Sequence, residues 1–127
     1  LFVAGLTLAR KGLAVPRIVL AEDNAVIAVL LGEVIASLGH ELCDIVATEA
    51  ALVSAAARHR PDLLIVDAHL AEGSGVLALN HILKGGHVAH LIMSGGPVED
   101  MPAGAVLLEK PFSNKELAAG IARALAA

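Results

Sequence analysis

The sequence predicts a doubly wound α/β sheet within a single domain, and three observations carry that prediction. Short unbroken apolar runs recur: "IVLA" at 18–21, "LLIV" at 63–66, "LIM" at 91–93 and "VLL" at 106–108. Each is too short for a helix and lacks polar alternation, as expected of parallel strands buried on both faces. Stretches with helical spacing or helix caps lie between them, so strand and helix alternate. The 127 residues suit one core, and 57% hydrophobic against 17% charged residues marks a globular chain.

The elements follow in order. Residues 1–16, "LFVAGLTLARKGLAVP", read as an N-terminal extension to a domain at 17–127. The extension is apolar at first and basic at Arg10 and Lys11, the reverse of a signal peptide's charge order. It is expected to be a trimmed remnant or a short self-associating helix, which would make a homodimer. After the first strand, Ile27, Leu30, Leu31, Val34, Ile35 and Leu38 recur at helical spacing and predict one buried face, ended by Gly39. "LCDIVA" at 42–47 is a fifth, less uniform strand. Thr48 can cap a helix that must stop before Pro61, and Ser74 can cap another through about Leu83, closed by Gly85 and Gly86. Ser113 and Glu116 form a capping box that opens a last helix through Leu117, Ile121 and Leu125.

Composition excludes several function classes. Phe2 and Phe112 are the sole aromatics, so the core is aliphatic and Ala-rich. A formal charge of −4 without a Lys/Arg cluster argues against direct nucleic-acid binding. No apolar run reaches transmembrane length, so no membrane association is expected. The single cysteine, Cys43, has no internal disulfide partner, which fits the cytoplasm. The six histidines show no zinc-type pairing, and "GSGVLA" at 73–78 starts too far past its strand to be a dinucleotide fingerprint.

Ligands of such sheets sit at the carboxyl ends of the strands. The residues that close the apolar runs are Glu22 and Asp23, then Asp67, then Ser94, then Glu109 and Lys110. Asp23 and Asp67 brought together repel unless a cation neutralises them or one takes up a proton. A hard divalent ion, Mg²⁺ above all, suits oxygen donors of this kind, and Lys110 offers a point charge to an anionic group.

"LAEDN", "LLIVDAHLAEGSG", "LIMSG" and "LEKPF", in this order and at strand ends, resemble the CheY-like receiver domain of two-component response regulators. The resemblance covers about residues 17–126 and rests on the four motifs occurring jointly. It implies a flavodoxin-like five-stranded parallel sheet of order 2-1-3-4-5. It also implies Mg²⁺ at Glu22, Asp23, Asp67 and the main-chain carbonyl of His69, with Asp67 as phosphoacceptor and Ser94 and Lys110 contacting the phosphoryl group. The reaction so implied is transfer from the phosphohistidine of a sensor histidine kinase or a histidine phosphotransfer protein, followed by self-catalysed hydrolysis. That is a signalling phosphoacceptor and not an enzyme in the usual sense. No effector follows the last helix, so output is expected through contacts with a downstream protein target. Pro111 is expected to follow a cis peptide, as in the family.

The chain also departs from the family pattern. Leu107 stands where an aromatic switch residue is usual, and Ala71 where a loop proline is expected. Residues 95–104 hold three glycines and two prolines, which leaves no room for the family's helix between the fourth and fifth strands, so that helix (α4 in the family) is expected to be reduced or lost. Pro97, Val98 and Met101 would then form a mobile, partner-facing patch. Two rival readings are a phosphate-independent pseudo-receiver and a flavodoxin-like small-ligand binder, the latter disfavoured by the lack of aromatics to stack on a flavin.

Overall fold

In the computed structural model, which describes residues 15–127, five strands and four helices alternate as expected, save at one crossover. They are β1 (Arg17–Ala21), α1 (Ala25–Ser37), β2 (Glu41–Val46), α2 (Glu49–His59), β3 (Leu63–Asp67), α3 (Gly75–Leu83), β4 (Ala89–Ser94), β5 (Val106–Glu109) and α4 (Asn114–Ala126). All strand pairs are parallel, and the order is β2-β1-β3-β4-β5, the flavodoxin-like arrangement. The expected N-terminal extension, apart from Val15 and Pro16, lies outside the described residues.

The sheet separates two hydrophobic clusters because successive strand residues face opposite ways. Ile18, Leu20, Ile65, Leu91 and Met93 pack with Leu31 and Ile35 of α1 and Leu117 and Ile121 of α4. Val19, Leu64, Val66 and Ile92 pack on the other face with Leu52 of α2 and Leu79 of α3. Every residue of β3 is buried, which explains its unbroken apolar run. The expected caps are present: Thr48, Ser74 and Ser113 each accept a backbone N–H of the turn they open, and Glu116 returns a bond to Ser113. Lys110–Pro111 is cis.

The expected face of α1 is corrected. The helix buries Ala28, Leu31, Gly32 and Ile35, while Ile27, Leu30 and Leu38 stay exposed. Gly32 is the cause. A Cβ there would lie 3.0 Å from Leu42 Cδ2 and 3.5 Å from Ile45 Cδ1, so its absence lets the helix settle closely on β2. Periodicity could not show this, because α1 is apolar nearly all round.

Residues 95–105 cross from β4 to β5 without a helix. Asp100 and Gly104 have positive φ, Ala105 N–H donates to the Pro102 carbonyl at 3.2 Å, and Asn80 Nδ2 donates to the Asp100 carbonyl at 3.0 Å. Val98 turns inward, with Ala105 and Leu107, onto the second cluster, so only Pro97 and Met101 of the expected patch are exposed.

Candidate functional site

Strand order reverses between β1 and β3, and the carboxyl ends of these strands open a crevice there. Glu22 and Asp23 follow β1 directly, and Asp67 is the last residue of β3. One carboxylate oxygen from each of the three lies within 4.8 Å of the others. Glu22 and Asp67 are buried, at 3% and 6% exposure, whereas Asp23 faces solvent. Lys110, just past β5, reaches in: its Nζ lies 2.5 Å from Asp67 Oδ2 and 3.8 Å from Glu22 Oε1.

Three carboxylates against one ammonium leave a formal charge of about −2 when all are ionised, which asks for a divalent cation. Glu22 Oε1 points the same way, since it is buried with no hydrogen-bond partner. Burial is the main cause that raises the Glu22 carboxyl to about 7, and the Asp67 charge adds to it; the Asn24 N–H and Lys110 pull the other way. The donor set therefore fits Mg²⁺.

Asn24 was not singled out by sequence reasoning, although it lies within the first motif. Its N–H donates to Glu22 Oε2 at 3.1 Å, while its Oδ1 caps α1 by accepting from Val26 and Ile27, each at 3.0 Å. One residue thus fixes both the buried acid and the helix that follows. The Asn type after two acids and before an apolar run was the available signal.

The remaining candidates are close to the crevice in different ways. Ser94 ends β4 and is buried, but its hydroxyl donates to the Gly96 carbonyl at 2.7 Å and accepts the Gly96 N–H at 3.1 Å. It is thus engaged by its own loop. His69 has an exposed side chain, and its backbone N–H donates to Asp67 Oδ1 at 3.1 Å. A cleft of about 310 Å³ beside the end of β3 is lined by His69, Ser74 and Leu77 on one side and by Pro97, Val98 and Asp100 on the other.

The loop from Asp67 to α3 is tightly held. A Cβ on Gly75 would lie 2.0 Å from the Asp67 carbonyl oxygen, so only glycine lets α3 start this close to β3. Gly75 N–H donates to the Ala68 carbonyl at 3.0 Å. Across the loop, Ala71 N–H donates to the Ala47 carbonyl at 3.2 Å, and Glu49 N–H donates to the Glu72 carbonyl at 3.0 Å. Glu49 Oε1 accepts the Ser74 N–H at 2.9 Å. A proline at position 71 would have no N–H for the first of these bonds.

No protein-family model matches the chain. It is 32% identical over 114 residues to the Phyllosphere-induced regulator PhyR of Methylorubrum extorquens, a match that covers 85% of this chain and 43% of that protein. The chain therefore spans less than half the length of that curated relative. The solution structure of the Erythrobacter litoralis PhyR response regulator REC domain superposes with a TM-score of 0.81 at 28% identity, covering 90% of this chain and 92% of that one. A doubly substituted form of the anti-anti-sigma factor PhyR of Bartonella quintana gives a TM-score of 0.78 at 27% identity, over 87% of this chain and 48% of the other.

Proposed function

The chain belongs to the CheY-like receiver domains of response regulators, and from that premise we propose that it accepts a phosphoryl group on Asp67. The observation that supports this most is the buried Asp67 carboxylate with Lys110 Nζ 2.5 Å from one oxygen and two further acids beside it. The donor is a phosphohistidine of a sensor histidine kinase or a histidine phosphotransfer protein. One Asp67 oxygen forms a bond to phosphorus as the N–P bond breaks, and the electron pair returns to the imidazole, which picks up a proton. Water later attacks phosphorus, the acyl phosphate P–O bond breaks, and inorganic phosphate leaves.

An aspartate is a weak nucleophile, so positioning and charge neutralisation do the catalysis. Glu22, Asp23, Asp67 and the His69 carbonyl would hold Mg²⁺, which when bound supplies positive charge to the phosphoryl oxygens. Lys110 supplies a second positive charge and orients Asp67 through Oδ2. Ser94 adds a hydrogen bond once its hydroxyl leaves Gly96. That exchange couples the site to residues 95–105, and the output is a contact with a downstream protein, in keeping with the similarity to an anti-anti-sigma factor. The domain works in the cytoplasm.

The test is intact-mass analysis after incubation with acetyl phosphate. Wild-type protein gains one phosphoryl group only with Mg²⁺, and Asp67→Asn gains none. Equal labelling of the variant, or labelling that survives chelation, overturns the assignment.

A further inference from the structure

The family's loop proline is replaced here by Ala71, yet the acceptor loop is bound on both sides, and the bonds come from the start of α2. We propose that Glu49 is a positioning residue for the acceptor site: it sets the His69 carbonyl by clamping the loop at Ser74. The inference rests on the phosphoacceptor reading and deepens it.

The geometry runs through named bonds. Glu49 Oε1 takes the Ser74 N–H at 2.9 Å, and Ser74 lies opposite His69 in an antiparallel bridge held by the flanking bonds, Gly75 N–H to the Ala68 carbonyl at 3.0 Å and Leu70 N–H to the Gly73 carbonyl at 3.4 Å. His69 N–H in turn donates to Asp67 Oδ1 at 3.1 Å. Three links thus lead from a carboxylate on α2 to the acceptor carboxylate on β3. Gly73 belongs to the same device. A Cβ there would lie 2.2 Å from Glu49 Oε1 and 2.6 Å from Glu49 Cβ, so the glycine leaves the space that the Glu49 side chain fills. Its φ of +93° is also one that glycine adopts without strain.

Two backbone bonds flank the side-chain one. Ala71 N–H to the Ala47 carbonyl and Glu49 N–H to the Glu72 carbonyl pair residues 47–49 with 71–72. A proline stiffens a loop through its own ring; here stiffness comes from a neighbouring segment. The competing explanation is that Glu49, in the first turn of α2, only offsets the helix dipole. That role needs a charge but no reach to Ser74, and the difference can be measured.

The variants are Glu49→Gln, which keeps the acceptor oxygen and loses the charge, and Glu49→Asp, which keeps the charge and shortens the reach. Amide spectra of ¹⁵N-labelled protein report the Mg²⁺ midpoint and the exchange rate of the Ser74 amide. Glu49→Asp should raise the Mg²⁺ midpoint and speed Ser74 exchange by about tenfold each, the loss expected for one hydrogen bond. Glu49→Gln should stay within about twofold of wild type on both. The clamp is overturned if Glu49→Asp matches wild type, or if Glu49→Gln is as impaired as Glu49→Asp. Wild-type protein that ignored both Mg²⁺ and acetyl phosphate would sink the phosphoacceptor reading, and the positioning role with it. A responsive wild type with an unaltered Glu49→Asp sinks the clamp alone.

Discussion

Alanine at position 75 would place a methyl group against the backbone of β3. Its Cβ would lie 2.0 Å from the Asp67 carbonyl oxygen, 2.5 Å from Val66 Cγ1 and 3.1 Å from the Asp67 carbonyl carbon. Relaxed non-bonded contacts need about 3.5 Å, so α3 and β3 must part by more than about 1 Å. β3 cannot yield easily, since it is paired with β1 on one side and β4 on the other and is buried throughout. The movement falls on α3, whose first turn is tied down by the Gly75–Ala68 and Ser74–Glu49 bonds. Overpacking of this severity costs about 3 kcal/mol, and the better helix propensity of alanine returns at most about 1 kcal/mol. For 127 residues the unfolding entropy is roughly 0.27 kcal/mol/K, so the melting temperature should fall by about 8–11 °C. Circular dichroism at 222 nm measures that drop, and intact-mass analysis should show phosphoryl uptake impaired at temperatures where the variant is still folded. Gly85→Ala is the control, because its Cβ would meet nothing closer than the Ile82 carbonyl oxygen at 3.5 Å. A Gly75→Ala variant that melts with wild type and accepts phosphate normally would refute the close-approach argument.

Three other outcomes are expected. In ion-free protein Glu22 titrates at about 7 against an ordinary 4.5, chiefly because of burial, so the fold keeps a proton that the unfolded chain releases. The stability this gives is complete below pH 4.5 and is lost as pH rises through 7; Glu22→Gln should remove that slope in urea titrations, and an identical slope in both proteins would contradict it. Asn24→Ala should lower stability by about 1 kcal/mol through loss of the α1 cap, and should also weaken Mg²⁺ binding by freeing Glu22, whereas a stability loss alone would show that the cap and the acid are independent. His69→Ala should change the rate at which phosphoprotein decays, because Gly96, two beyond Ser94, has no side chain to guide water; an unaltered decay would exclude that role.

The strands and the acid cluster were legible because both depend on local runs and their closing residues. β3 had to be apolar from Leu63 to Val66 to lie in the sheet's centre, and Asp67 marks the strand's end. The three serine and threonine caps were readable for the same reason. What escaped the sequence depends on distance across the fold. The helix α1 is apolar nearly all round, and which side is buried follows from packing of Leu31 and Ile35 on the sheet and the close approach of Gly32 to Leu42, none of it local in sequence. Glu49 reads as an ordinary first-turn acid, since its partner Ser74 lies 25 residues away. Ser94 was correctly placed at the strand end, but the direction of its hydroxyl is set by the turn at Gly96, which composition does not encode.

The helix-free crossover from β4 to β5 makes this the place where the chain can vary in length at least cost. A helix there would fix the number of residues by its pitch and its packing stripe, and an insertion would rotate its buried face off the sheet. An irregular crossover has no such phase. Each doubling of its length adds only about 0.6 kcal/mol of closure entropy. Ala103 and Gly104 are both exposed and lie beyond the Asn80 tether at Asp100, so residues added between them open the single Ala105–Pro102 turn bond and leave β4, β5 and Ser94 in register. Descent from a common ancestor should therefore show its length differences here, and an epitope or fluorescent tag inserted at this point should be tolerated by the sheet.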